Sequence, residues 1–252
     1  MSLEFRLLDF TSLDYEEDAE LTEVECHDGE EYETSVRNTT TTRIVCDNKF
    51  IISMFGINEK GETCSIHLDD FEPCFFVKVP DLWSSKETYI FKKYLEMKIG
   101  PRYANSISSC ELVKRKKLYG FDGDKLHTFI EIKFYNMIAF NKTKNLWYNN
   151  YTDAKNVYQS ILKPNGLIIN KGITEIYESN IPPLLRYFHI KDISPSGWIR
   201  LPAGKYSSNT TEKKTTCTYE LSISSKDIIP LNEKETIVPY NICSFDIEAS
   251  SS

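Results

Sequence analysis

The sequence predicts an α+β protein, and three observations carry that expectation. Short runs of alternating apolar and polar residues, separated by turn residues, occupy the first part of the chain. From Cys74 to Tyr177 the candidate elements follow in the order β-α-β-β-α-β. The final stretch, residues 241–252, reads as a strand that carries two acids, Asp246 and Glu248.

The first part, residues 1–73, opens on a strand candidate from Leu3 to Phe10 and runs into an acidic stretch, Asp14 to Glu33, read as a solvated arm. Arg43 to Cys46 and Phe50 to Ile57 are apolar runs. Asn58-Glu59-Lys60-Gly61-Glu62 is turn chemistry, and Thr63 to Leu68 alternates as a returning strand. These segments predict a small antiparallel sheet.

The second part, residues 74–178, begins with the strand Cys74–Val79, closed by Pro80. Lys86 to Ile99 has helical spacing and stops at Gly100-Pro101. Strands follow at Ser109–Tyr119 and Lys125–Tyr135, then a second helix at Asp153–Leu162 and a strand at Ile173–Tyr177. This order is that of the ferredoxin-like arrangement shared by RNA-recognition domains. The third strand, His127 to Tyr135, has no glycine and an acid at its centre, so the base-stacking signature of an RNA-recognition domain is missing.

Residues 179–235 supply a helix with prolines in its first turn (Pro182, Pro183), a short strand at Trp198–Pro202, a loose polar stretch at Ala203–Lys214 and a strand at Thr215–Ile223. They are expected to link back to the N-terminal part. His189 has no second His or Cys beside it and reads as a packing residue. Residues 236–252 form the last part.

Composition limits the function. The chain has 252 residues, a formal net charge of −7 and 27% charged residues, ordinary for a soluble globular protein but poor for one that coats nucleic acid by bulk charge. No apolar run approaches a membrane span and the N-terminus lacks a signal peptide, so no membrane partner and an intracellular setting are expected. The 7 cysteines are scattered without paired spacing, which favours reduced thiols over disulfides or zinc.

Two clusters could carry chemistry. On a strand, Asp246 and Glu248 project to one side while Phe245 and Ile247 pack on the other, so the two acids can share a divalent metal. The same pattern also decorates solvated strand faces. The basic run Lys114-Arg115-Lys116-Lys117, with Tyr119 and Phe121 close behind, is the best candidate for phosphate and base contact. Lysines that discourage edge pairing explain the run equally well.

Phe245-Asp246-Ile247-Glu248-Ala249-Ser250-Ser251 resembles the first exonuclease motif of family B DNA polymerases. Upstream, Tyr177-Glu178-Ser179-Asn180, Leu184-Leu185-Arg186-Tyr187, Gly197-Trp198-Ile199 and Cys217-Thr218-Tyr219-Glu220 are similar, in the same order, to the approach to the exonuclease domain in delta-type enzymes and those of large DNA viruses. Phe55-Gly56-Ile57, Phe75-Phe76-Val77 and Tyr119-Gly120-Phe121 are similar to the N-terminal domain of that family.

The resemblance implies an N-terminal domain with an OB-like part (1–73) and a ferredoxin-like part (74–178). It also implies that 236–252 holds the first strand of an RNase H-like 3′-5′ exonuclease domain, cut short after its first motif. It makes Asp246 and Glu248 catalytic metal ligands, with Mg²⁺ as cofactor and DNA primer-template and deoxynucleoside triphosphates as substrates. The rest of a polymerase chain is an implied partner, with a sliding clamp a candidate. The implied location is a viral replication compartment in host cytoplasm, or the nucleus. With the remaining acids and the polymerase palm absent, these residues alone are expected to be inactive, a scaffold beside the template strand. The alternative is a free-standing module for single-stranded nucleic acid built on residues 114–121.

Overall fold

The computed structural model describes residues 1–15, 49–117, 122–152, 158–208, 213–240 and 244. The strand expected at Arg43–Cys46, most of the acidic arm, Tyr119, Phe121, Asp246 and Glu248 lie outside the described residues.

In chain order the elements are β1 (Leu3–Tyr15), β2 (Lys49–Ile57), β3 (Thr63–Leu68), β4 (Cys74–Lys78), α1 (Ser85–Ile99), β5 (Ile107–Lys116), β6 (Leu126–Phe134) and α2 (Met137–Lys144). They continue with β7 (Tyr148–Thr152), β8 (Tyr158–Leu162), β9 (Leu167–Ile169), β10 (Gly172–Tyr177), α3 (Pro183–Lys191), β11 (Trp198–Leu201), β12 (Tyr206–Ser208), β13 (Tyr219–Ile223) and β14 (Ile229–Leu231). The α+β class follows from this mixture. Two compact units divide it: Met1–Leu13 with Ile51–Phe71 and Leu184–Ser252, and Asp14–Phe50 with Glu72–Pro183.

The first unit is built on a seven-stranded sheet in the order β12-β13-β3-β2-β1-β11-β14. Its strands alternate as the sequence demands: Phe5 and Leu7 of β1, Ile52 and Met54 of β2, and Ile66 and Leu68 of β3 are all buried. Gly56 is required by close approach, because a Cβ there would stand 2.9 Å from the Arg6 carbonyl and 3.1 Å from the Phe5 Cβ. Strand β13 joins β3 in parallel, Tyr219 opposite Cys64 and Ser222 opposite His67, which brings residues far apart in sequence into one sheet. In α3 the aromatic pair Tyr187 and Phe188 is buried. Phe188 meets Phe10 edge-on at 4.8 Å, and Tyr187 meets Phe71 at 5.3 Å. His189 is exposed in the last turn of α3, not packed as the sequence suggested. The helix's buried stripe had already been filled by its neighbours Arg186 to Phe188.

The second unit holds a five-stranded sheet in the order β5-β6-β4-β10-β9. Counting β4, β5, β6 and β10 as first to fourth, the order across the sheet is second, third, first, fourth, with each neighbouring pair antiparallel. Both α1 and α2 pack on one face of it. Phe91, Leu95 and Ile99 of α1 and Ala139 and Phe140 of α2 share a core with Phe75, Val77, Ile130, Ile132 and Phe134. Helix α1 starts at a capping box: Ser84 Oγ accepts from Lys86 N, and the Glu87 carboxylate accepts from Ser84 N at 2.9 Å. Such a cap stabilises a helix by about 1 kcal/mol.

The second helix is not where spacing placed it. Residues 158–162 form β8, paired antiparallel with β7 in a two-stranded ribbon, and the helix α2 lies earlier, at Met137–Lys144. The local chemistry explains the shift. Asn136 caps α2 by accepting from Ala139 N at 2.9 Å, and both oxygens of the Asp14 carboxylate accept from Met137 N at 3.0 Å. Burial of Ala139, Phe140 and Thr143 then fixes one face. Tyr158 to Leu162 instead has the β-forming character of Tyr and Ile and opposes Tyr148–Thr152.

Candidate functional site

The carboxylate pair Asp246 and Glu248 lies outside the described residues, but the chain leading to it is held tightly. Trp198 on β11 donates through its indole Nε1 to the Thr236 carbonyl at 3.1 Å, and Arg6 Nη1 reaches the same oxygen at 3.5 Å. Val238 is 2% exposed and packs with Trp198 and Ile57. Lys234 lies over the Trp198 ring at 4.0 Å and ion-pairs with Glu4 at 2.7 Å and Glu59 at 2.6 Å. Arg200 meets Glu4 from the other side at 2.8 Å.

The hydrogen bond from Lys234 is the main reason the Glu4 carboxyl sits below its ordinary value, with Arg200 adding to it against the cost of burial. Burial pulls the Lys234 ammonium down, but its bonds to Glu4 and Glu59 outweigh that and raise it. The result is a partly exposed ion-pair cluster that, with Trp198, holds residues 234–238.

In the basic run, three of the four cations are already engaged. Lys114 Nζ donates to Thr128 Oγ1 at 2.5 Å, Lys116 meets Asp124 at 2.6 Å and Lys117 meets Asp122 at 3.5 Å. Arg115 is exposed and makes no ion pair among the described residues. Asp122 also bonds the buried His127 at 2.5 Å, and that bond is the main cause holding its carboxyl below the usual range. Asp81 is likewise lowered, chiefly because Thr128 donates to it from its hydroxyl at 2.9 Å and from its amide at 3.2 Å. The hairpin therefore carries its own counter-ions, which sequence spacing did not reveal. Asp122 and Asp124 sit in the turn, and Asp81 comes from a distant loop.

Beside this hairpin an open groove brings together Lys78, Lys125 and Lys171 with Asp81 and Glu175. Lys78 is paired with Glu175 at 3.5 Å. The sequence had given no reason to group these residues; the pairing of β4 with β10 does so. On the sheet face opposite the helices, β6 presents Glu131, ion-paired to Lys133 at 3.8 Å. An acid at that position disfavours stacked nucleic acid, in keeping with the missing base-reading signature.

His67 lies between Ser53 Oγ and Ser65 Oγ, each at 3.0 Å, with the buried Glu220 carboxylate 3.7 Å away. Both hydroxyls are buried, so the group pins β2, β3 and β13 together rather than facing a substrate. Among the described residues no cluster of three or more His, Cys, Asp or Glu is placed to hold a metal ion, and Cys64, Cys74, Cys110 and Cys217 form no disulfide there. No helix among them is long and apolar enough to cross a membrane.

Comparison with known proteins adds what the geometry cannot. Residues 174–252 match the profile of the DNA polymerase family B exonuclease domain. The chain is 45% identical over 206 residues to a DNA polymerase of Phaeocystis pouchetii virus, covering 82% of this chain and 19% of that protein. It is 28% identical over 202 residues to the DNA polymerase delta catalytic subunit of Schizosaccharomyces pombe, covering 79% of this chain and 17% of that one. The chain thus spans less than a fifth of these curated relatives. In three dimensions it is similar to the family B DNA polymerase of the archaeon Pyrobaculum calidifontis, with a TM-score of 0.52 at 12% identity over 94% of this chain and 21% of that one, a likeness of fold. Taken with the ordered motifs that end at Asp246 and Glu248, these matches place the chain in the family B DNA polymerases.

Proposed function

We propose that this chain is the N-terminal part of a replicative DNA-directed DNA polymerase with 3′-5′ proofreading, acting on DNA primer-template and deoxynucleoside triphosphates in a viral replication compartment of the host cytoplasm or in the nucleus. The observation that carries the reading is the match over residues 174–252, which contains Asp246 and Glu248 in the motif the sequence analysis identified. The division 1–73, 74–178, 179–235 and 236–252 goes with it. The strand order around β4 and β6 supports a ferredoxin-like second part, and the β1–β3 meander supports an OB-like first part.

Asp246 and Glu248, two residues apart in the sequence, carry hard oxygen donors of the kind that suits Mg²⁺. The metal would stabilise charge that builds on the scissile phosphate. The chain's own contribution is positional. The contacts of Arg6, Trp198, Lys234 and Glu4 fix residues 234–236, which precede the two acids in the sequence.

In this reading the 252 residues are a scaffold beside the template strand. Contact with that strand through Lys114 to Lys117, Tyr119 and Phe121 is weak, because acids on the same hairpin already neutralise Lys116 and Lys117. The test is to produce the longer polymerase that contains this sequence and assay primer extension and 3′-5′ degradation beside the 252-residue chain. Activity is expected in the former and none in the latter. A longer product that extends no primer would end the proposal.

A further inference from the structure

The turn between β9 and β10 consists of Asn170 and Lys171, closed by the pair Ile169–Gly172. Both turn residues have positive φ, 48° and 61°, the hairpin geometry that favours Asn followed by Gly. A lysine in the second place is a strained choice. It is exposed and makes no hydrogen bond or ion pair among the described residues, so local folding gives no reason for it. The turn itself is held in place: a Cβ on Gly172 would stand 2.9 Å from Pro80 Cγ and 3.0 Å from the Trp83 ring, so the hairpin rests directly on the loop after β4.

Lys171 lines the open groove of about 570 Å³ beside this turn, a volume in the range of small-molecule sites. Two further lysines join it from other elements, Lys78 from β4 and Lys125 from the residue before β6. The two acids of the groove are already engaged. Glu175 accepts from the Tyr177 hydroxyl at 3.3 Å and meets Lys78 at 3.5 Å. Asp81 accepts from the Thr128 hydroxyl at 2.9 Å and amide at 3.2 Å, with the charges of Lys114 and Lys125 near it. His127 is buried and bonds Asp122. Lys125 and Lys171 therefore carry charge without a bonded partner among the described residues. Between them, Pro80 and the 58% exposed Ile173 supply an apolar wall.

We propose that this groove binds a phosphoanion of nucleotide size, with its phosphates on Lys125 and Lys171 and its apolar part against Ile173 and Pro80. Lysine is a point charge with three donors, suited to phosphate approached from several sides. A planar carboxylate is held best by the fork of arginine, and no arginine lines the groove. A free nucleoside triphosphate and a nucleotide within a single strand offer the same chemistry. The inference stands on the groove and not on the polymerase reading.

The probe is metal-free deoxyadenosine triphosphate, titrated into the 252-residue chain by calorimetry at low salt. Fluorescein-labelled oligothymidylate, followed by anisotropy, forms the second arm. Saturable binding is expected in at least one. Triphosphate binding marks a free nucleotide, and oligothymidylate binding that excess triphosphate does not displace marks a strand. Lys171→Gly should weaken whichever ligand binds by about fivefold or more and lower its salt slope by about one. The same variant should melt no lower than wild type, because Asn-Gly suits this turn. As a control for bulk charge, Lys86→Ala with Lys98→Ala removes two exposed lysines of α1, outside the groove, and should leave affinity within about twofold. No binding in either arm overturns the proposal, as does unchanged affinity of Lys171→Gly. An equal loss in the α1 variant would mean that only net charge is read, and equal affinity for oligoglutamate would make the groove a carboxylate site; either result also overturns it.

Discussion

The indole of Trp198 donates to the Thr236 carbonyl at 3.1 Å while the Lys234 ammonium rests on its ring at 4.0 Å, so one side chain holds both ends of a three-residue span. Replacement by phenylalanine keeps the ring face and removes the donor. Trp198→Phe should therefore cost about 1 kcal/mol, the usual net value of one hydrogen bond. Chemical denaturation with an unchanged slope would check it, and hydrogen exchange should quicken at residues 234–238 first.

The clamp also predicts a pH dependence. Glu4 has its carboxyl lowered by Lys234 and Arg200. A group depressed in the folded state contributes stability above its unfolded value, near 4.5, and that contribution is lost as pH falls through the lower folded value. Melting temperatures of wild type and Glu4→Gln should differ at neutral pH and converge as pH falls through the lowered folded-state value of Glu4. A gap that stays constant across that range would exclude Glu4 as the source.

Much of this was legible beforehand, and the failures have physical causes. The polar-apolar alternation of Thr63–Leu68 read correctly because the strand buries one face with its own period. The helix expected over Lys86–Ile99 from the spacing of Tyr89, Ile90, Lys93, Tyr94 and Met97 is present as α1, although the stripe it buries is Thr88, Phe91, Leu95 and Ile99 while Tyr89, Ile90 and Met97 are exposed. The helix expected at Asp153–Leu162 failed because ribbon β7–β8 leaves Tyr158, Ile161 and Leu162 exposed, so no buried face distinguishes the two readings. Helix α2 was missed because part of its capping comes from Asp14, far away in sequence. The candidate site was legible only as residue types. That Lys116 and Lys117 are neutralised by Asp124 and Asp122 is a property of the hairpin's register, not of the basic run itself.

Those counter-ions make a prediction for nucleic acid. Asp122→Asn with Asp124→Asn should release Lys116 and Lys117, raise affinity for oligothymidylate severalfold at low salt, and steepen the salt slope by about one to two phosphate contacts. Fluorescence anisotropy at several salt concentrations reads both. An unchanged slope would mean that the run does not face the strand.

The core of the second unit depends on Trp147, which is fully buried and donates through Nε1 to the Thr174 carbonyl and hydroxyl, each at 3.2 Å. Trp147→Ala leaves a large cavity and unpaired acceptors, and should cost about 3–5 kcal/mol. Trp147→Phe should cost less, because it loses mainly the hydrogen bonds. Equilibrium unfolding followed by far-ultraviolet dichroism separates the two.

The central claim is that Asp246 and Glu248 are the metal-holding acids of a proofreading exonuclease. Its most direct test is Asp246→Ala in the longer polymerase, assayed on a labelled primer-template with Mg²⁺. The account predicts that 3′-5′ degradation without nucleotides is abolished while primer extension with nucleotides is retained. Degradation undiminished by the substitution would contradict it and remove Asp246 from the site.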